Sequence, residues 1–186
     1  MMQREELTDE KGVYVMHLYL EEPVVLIIGA LGRTHFPEGN YLYVGSAFGP
    51  GGLRARIGRH LCGTGKAHWH IDYLRRSALV LGGYYYVPAA LDGASPSECA
   101  SSLNSYECCW SQAISALANV TVPVYGFGAS DCQSGCSAHL FLFNSPKKQA
   151  TNNENRKLLK EILSASIHIE FSEIHWIQTH KSNQAI

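Results

Sequence analysis

The sequence predicts an α/β fold on three observations. The stretch up to Gly45 is dense in alternating β-forming residues, two later stretches repeat apolar residues at helical spacing, and a chain of 186 residues, 46% of them hydrophobic, suffices for one core of ordinary size.

Taken in order, residues 12–20 (GVYVMHLYL) alternate and are rich in β-formers, and residues 24–31 repeat that character after the turn signal Glu22-Pro23. A hairpin of the two is the simplest reading. Residues 41–45 (YLYVG) make a third strand, led in by Glu38-Gly39-Asn40 and stopped by SAFGPGG, whose glycines permit close approach. Residues 53–61 read as a short helix: Leu53, Ile57 and Leu61 share one face and Arg56 and His60 another, so the two polar groups can act together. Residues 68–76 (HWHIDYLRR) are a second helical piece, and residues 78–87 (ALVLGGYYYV) a strand interrupted by two glycines. Residues 89–102 have the Pro and Gly punctuation of a loop. A helix follows over about 103–118, with Tyr106, Cys109, Trp110, Ala113, Ile114 and Leu117 as its apolar stripe. Glu107 stands at the edge of that stripe, where a carboxylate can be half buried and point into a cleft. Residues 126–132 (GFGASDC) are loop-like and residues 138–143 (AHLFLF) a buried strand. Residues 147–156 read as a polar linker, 154–164 as a helix, and 167–178 (IHIEFSEIHWIQ) as strand-like. The domain is expected over residues 10–146, with residues 147–186 a C-terminal helix and strand extension packed on it.

A net charge of −1 argues against indiscriminate nucleic-acid binding, because phosphate neutralisation by Lys and Arg supplies most non-specific affinity. The charge is unevenly spread. Between positions 54 and 76, Arg54, Arg56, Arg59, Lys66, Arg75 and Arg76 meet a single acid, Asp72. This basic patch reads either as a nucleic-acid surface or as a solvated helical face. The near-neutral total favours a structured or delivered nucleic acid as partner. The apolar run 24–32 is too short to cross a bilayer, and MMQREELTDEKG has no signal-peptide character. A soluble, cytoplasmic protein is expected, whose six cysteines are thiols or metal ligands.

Gly12-Val13-Tyr14 on the first strand and Tyr43-Val44-Gly45 on a later one resemble the signatures of the GIY-YIG nuclease superfamily. Arg56 follows at the start of a helix beyond the Gly-rich segment, and an acid follows on a later helix, in the superfamily's order. More narrowly, GNYLYVGSAFGPGGLRARIGRHL, HWHIDYL, YECCWSQAI and GFGASDC with the following HLF are similar to the GIY-YIG subfamily known as DUF123, over roughly residues 12–143.

The resemblance implies a small, mostly antiparallel β-sheet flanked by helices. It also implies a divalent-metal-dependent endonuclease that hydrolyses a phosphodiester of DNA or RNA. By the same resemblance Glu107 binds one Mg²⁺ or Mn²⁺, Arg56 holds the scissile phosphate, and Tyr14 or Tyr43 orients or deprotonates the attacking water. Glu98 is the second choice for the metal. These residue types suit the chemistry: a phosphodiester gains charge toward its transition state, which a cation and a guanidinium stabilise. A phenol, with a pKa near ~10, is a base only if a metal or arginine depresses it. His60, one turn after Arg56, could take the proton instead. The alternative uses of these residues are structural, with Tyr14 and Tyr43 as sheet aromatics and Arg56 as a surface cation. The alternative function is a catalytically inactive nucleic-acid-binding module of the same fold.

A second cluster lies outside the minimal nuclease motif. His68, His70 and Asp72 alternate in HWHIDYL, and Asp131, Cys132, Cys136 and His139 lie within nine residues of one another. Cys132-x3-Cys136-x2-His139 with one imidazole from His68 or His70 could make a tetrahedral Zn²⁺ site. Otherwise Cys132 is a buried thiol and the histidines hydrogen-bond within the fold. Trp69, near Arg75 and Arg76, offers a platform for stacking on an unpaired base, or fills the core. A thiol enzyme is the remaining class, with Cys108, Cys109 or Cys132 as nucleophile and His139 or His70 as base. No cysteine stands in a recognisably activated setting, such as a helix N-terminus beside a cation.

Overall fold

The computed structural model describes residues 7–63, 65–88, 105–144 and 153–177, with residues 105 and 153–155 described by their backbone alone. The loop expected over 89–102, Glu98 within it, and residues 147–152 of the linker lie outside the described residues. In chain order the elements are β1 (Val13–Leu20), β2 (Val24–Ile28), β3 (Gly32–Phe36), β4 (Gly39–Ser46), α1 (Gly52–Cys62), α2 (His70–Leu74) and β5 (Leu79–Tyr86). They continue as α3 (Ser105–Ser115), β6 (Val120–Thr121), β7 (Leu140–Phe143), α4 (Asn153–Ser166) and β8 (His175–Ile177). Mixed α/β architecture with a C-terminal helix and strand is therefore observed, as expected.

Almost every residue of β1 is buried, on both of its faces. A strand apolar on both sides has to lie inside a sheet that is covered on both sides. It lies between β4 and β5 in an antiparallel six-stranded sheet of order β6-β7-β4-β1-β5-β8. Side-chain alternation then divides the core in two. Tyr14, Met16, Leu18, Tyr41 and Tyr43 pack on one face with Leu53 and Ile57 of α1 and Ile71 and Leu74 of α2. Val13, Val15, Leu42 and Val44 pack on the other with Tyr106, Trp110 and Ile114 of α3 and Leu163 of α4. Trp110 is fully buried, and its indole N–H donates to the Leu163 carbonyl at 3.1 Å, which ties α3 to α4.

Three strand expectations are revised. β1 and β2 do not form a hairpin, because β4 and β5 occupy both edges of β1. β2 pairs instead with β3 in a separate two-stranded ribbon, Val24 opposite Phe36 and Ile28 opposite Gly32. β3 (GRTHF) is masked in the sequence by Arg33 and His35 on its exposed face, while Phe36 enters the core. Within residues 167–177 only His175–Ile177 is strand, paired with Gly83–Tyr85. Before it, the Glu173 carboxylate accepts the Glu170 N–H at 3.0 Å and turns Phe171–Glu173 into a 3₁₀ helix. β5 runs on through the two glycines, but its register against β1 shifts by one residue beside them, with His17 opposite Gly82 and Leu18 opposite Val80; Gly82, at φ 145°, leaves room for the Trp176 ring, which a Cβ would meet at 2.4 Å. Among the described residues no helix is long and apolar enough to cross a membrane.

His17 is a titratable group inside the α3/α4 side of the core, with Nε2 3.1 Å from Asn40 Oδ1. It borders an apolar cavity of about 60 Å³ lined by Leu42, Leu159, Arg156 and Trp176. Burial, opposed by the hydrogen bond to Asn40 and reinforced by the Arg156 charge, lowers its pKa from 6.5 to about 4. Between those values the unfolded chain binds a proton that the native protein refuses, so stability rises with pH through the window and is lost on acidification. Refusing that proton is worth on the order of 3 kcal/mol above the window. Urea unfolding from pH 6.5 to 4 should therefore show a shallower loss of stability in His17→Gln than in the wild type, and equal slopes would refute the assignment.

Candidate active site

The site begins with a glycine. Tyr14 of β1 lies opposite Gly45 of β4, and an alanine Cβ at position 45 would stand 2.5 Å from both Cζ and Oη of Tyr14. The phenol occupies space that any side chain would claim. Its hydroxyl reaches His60 Nε2 at 2.8 Å, and His60 Nδ1 lies 3.3 Å from Asp72 Oδ1. Asp72 is set by α2: its carboxylate accepts the N–H groups of His68 at 2.9 Å and Trp69 at 3.1 Å, and Arg59 donates to it at 3.0 Å.

The electrostatics assign the protons along this chain. Burial opposes ionisation of Asp72, but hydrogen bonds from His60, from the two backbone N–H groups and from Arg59 outweigh it and hold the carboxyl well below the usual range. The negative charge of Asp72, 3.3 Å from Nδ1, favours the His60 tautomer that carries its proton on Nδ1, which leaves Nε2 to accept from Tyr14. Burial lowers the His60 pKa, against the pull of Asp72, so the ring is neutral near pH 7. Burial, with the neighbouring Tyr43, pushes Tyr14 well above 10, and burial, with Glu107, pushes Tyr43 up in the same way. Both are phenols, not phenolates.

Tyr14, Tyr43, Arg56 and Glu107 open onto one polar cleft of about 350 Å³. Arg56 stands with its guanidinium 3.8 Å from the centre of the Trp69 ring, and Arg59 at 4.8 Å. β7 begins opposite Tyr43, so the loop before it, including Asp131 and Cys132, forms the opposite wall. Glu107, in the first turn of α3, places Oε1 2.9 Å from Nδ1 of His139, the residue just before β7. Although burial opposes it, Glu107 and Cys132 hold the His139 imidazole above its ordinary 6.5.

Beside Glu107, one potential ligand atom from each of Cys108, Cys132, Cys136 and His139 lies within 4.8 Å of the others, a set able to hold a metal ion. The zinc ligands expected from the sequence are corrected in one respect. The fourth member is Cys108, not His68 or His70. His68 is exposed with its ring against Trp69, and His70 Nδ1 accepts the Gly128 N–H at 3.0 Å. Asp131 is exposed in the cleft wall and is not one of the four.

Of the residues expected at the site, Tyr14, Tyr43, Arg56, His60 and Glu107 are brought together, His60 behind Tyr14. The basic patch is dispersed. Arg54 turns to the N-terminal segment, donating to the Leu7 carbonyl at 2.7 Å and pairing with Asp9 at 3.1 Å. Arg59 is committed to Asp72 and the Lys66 carbonyl, while Lys66 itself is exposed. Arg75 is not available to a phosphate: it is buried and donates to the carbonyls of His60 and Leu61 at the end of α1. Trp69 is half buried against the core and lines the cleft, with the Arg56 and Arg59 guanidiniums over its ring. The sequence reading misses Asp72 as the partner of His60 and Cys108 as the partner of the loop cysteines. The one local signal was the Glu-Cys string at 107–108.

The family model described as "Domain of unknown function DUF123" matches residues 13–162. No curated protein and no solved structure matches the chain.

The Tyr14–Gly45 contact makes a direct prediction. Gly45→Ala should cost about 1–3 kcal/mol through overpacking and should displace the phenol from His60. Denaturant unfolding reads the first effect and the imidazole NMR signals of His60 the second; a variant of wild-type stability with unshifted His60 signals would contradict it.

Proposed function

The chain belongs to the DUF123 family, and on that premise we propose that it is a GIY-YIG-type endonuclease, which hydrolyses a nucleic-acid phosphodiester with one divalent cation. The observation that carries this reading is convergence. Tyr14 and Tyr43 from paired strands, Arg56 from α1 and Glu107 from α3 open onto one cleft, with a phenol–imidazole–carboxylate chain behind Tyr14.

Arg56 would take the non-bridging oxygens of the scissile phosphate and offset the charge that grows toward the pentacoordinate transition state. Its stacking on Trp69 fixes the guanidinium without consuming its N–H donors. Tyr14, held as a phenol, can accept the proton of an attacking water only by releasing its own. His60 Nε2, neutral and 2.8 Å away, receives that proton, and Asp72 stabilises the resulting imidazolium. Tyr43 stays protonated and orients the water by a hydrogen bond.

Glu107 would hold Mg²⁺ or Mn²⁺. With Oε1 on His139, Oε2 remains, and a polar cleft of about 350 Å³ suits a hard cation that keeps most of its waters and takes one carboxylate. The ion would supply Lewis-acid stabilisation to the phosphoryl group.

Labelled single-stranded, duplex, flap and branched DNA and RNA, each with Mg²⁺ or Mn²⁺, test the proposal. The expected result is cutting of at least one substrate, reduced about 10²–10³-fold in Arg56→Ala and Glu107→Ala and about 10²–10⁴-fold in Tyr14→Phe. The acid limb of its rate profile should lie below 6.5, because His60 must be neutral and its pKa is lowered. Substrate binding that survives in Glu107→Ala, with no cutting by the wild type under any of these conditions, would replace the enzyme by a binding module.

A further inference from the structure

We propose that Cys108, Cys132, Cys136 and His139 hold one Zn²⁺ in a closed tetrahedral site, and that Glu107 is the carboxylate that orients its histidine ligand. The ligand atoms lie within 4.8 Å of one another, and the Cys108 and Cys132 sulfurs are 3.5 Å apart. A tetrahedral ion with Zn–S bonds near 2.3 Å needs edges of about 3.8 Å. The set therefore closes on an ion with movements of about an ångström or less. Three thiolates and an imidazole are the ligands of a borderline-soft cation, and oxygen-seeking Mg²⁺ or Ca²⁺ would not choose them.

Two features have no other account. Cys108 comes from α3, whereas the other three residues come from the loop that leads into β7. Phe127 and Ala138 anchor the two ends of that loop in the core, but between them Asp131, Gln133, Ser134 and Gly135 are exposed, so residues 131–135 have little apolar surface with which to hold their own shape. Thiols are poor hydrogen-bonding partners, and the Cys136 sulfur lies as far as 4.0 Å from the Cys108 carbonyl. The second feature is His139, which is 4% exposed. Both of its ring nitrogens are buried without a hydrogen bond of good geometry: Nδ1 stands 2.9 Å from Glu107 Oε1, and Nε2 has no such neighbour among the hydrogen-bonding groups of the described residues. A buried orphan nitrogen needs an explanation, and a carboxylate on one imidazole nitrogen with a metal on the other is the usual arrangement of a histidine ligand.

Four protein ligands leave no open position, so the ion is a fastener, not a Lewis acid for substrate. It would clip the loop to α3 and, through His139, hold Glu107 in the cleft. The zinc site stands independently of the nuclease reading, since it is measured without nucleic acid.

Full-length protein purified without chelators should carry one zinc per chain by elemental analysis. Replacement by Co²⁺ should give the visible bands and sulfur-to-cobalt charge transfer of a tetrahedral thiolate site. The thiols of Cys108, Cys132 and Cys136 should resist a thiol reagent until a chelator is added. Cys108→Ser should lose the ion or bind it far more weakly. Glu107→Ala, which leaves all four ligands in place, should weaken zinc about 10–100-fold in competition with a chromogenic chelator. A wild type that retains no zinc and gives no thiolate–cobalt bands would overturn the proposal without recourse to any variant, as would unchanged zinc affinity in Cys108→Ser. Zinc-loaded protein that cuts nothing would remove the proposed nuclease activity alone, and a wild type that cuts yet retains no zinc and gives no thiolate–cobalt bands would remove this site alone.

Discussion

Tyr14 and Gly45 face each other across the β1–β4 pair, and the missing side chain at 45 is what lets the phenol lie across the sheet toward α1. From that one concession three elements are placed. The hydroxyl meets His60 on α1, the far nitrogen of His60 meets Asp72 on α2, and Asp72 in turn caps its own helix and holds Arg59. The same contacts that lock α1 and α2 onto the sheet thereby fix the tautomer and charge of each group. Packing and proton inventory are one arrangement here: the burial that makes Tyr14 a poor acid also makes His60 a neutral acceptor beside it.

Across the cleft Glu107 has a comparable double connection. One of its oxygens is spent on His139, which binds it to the thiol cluster, and its position in the cleft binds it to Tyr14, Tyr43 and Arg56. In the proposed chemistry, ligand type separates the two ions. Oxygen from a carboxylate and water suits a hard cation beside the phosphate, and sulfur with imidazole suits zinc in the wall. A carboxylate free to change rotamer would serve the first ion poorly, and an imidazole free to rotate would serve the second poorly. The 2.9 Å contact between them removes both freedoms at once.

The strands and the apolar stripes of α1 and α3 are legible in the sequence because each depends on spacing within a dozen residues. So are Tyr14, Tyr43, Arg56 and Glu107, since a glycine-marked strand and a polar helix edge are local signals. Partner choice is not local. β2 cannot be assigned to β3 over β1 without knowing that β4 and β5 return from elsewhere to fill both edges of β1. Asp72 reads with its neighbours His68 and His70, yet it serves His60 twelve residues before it. Cys108 reads as part of an apolar helix, and only the folded chain brings it to Cys132. Arg75 looks like one more surface cation until the carbonyl end of α1 is found against it.

That last case bears on how a nucleic acid would be held. Most of the cations that make the basic patch are engaged by the protein: Arg54 by Leu7 and Asp9, Arg59 by Asp72 and Lys66, Arg75 by α1, and Arg76 by the Gly65 carbonyl. Non-specific affinity grows with the number of phosphates neutralised, and a surface whose guanidiniums are already paired neutralises few. Arg56 differs because its partner is the face of Trp69, which leaves its donors free for a phosphate. On the proposed reading, the cleft would collect nucleic acid poorly by charge and would grip a single phosphate at Arg56. Affinity for a substrate would then have to come from the fit of a particular backbone shape around that phosphate, which is the physical reason to expect a structured nucleic acid in preference to any duplex the protein meets.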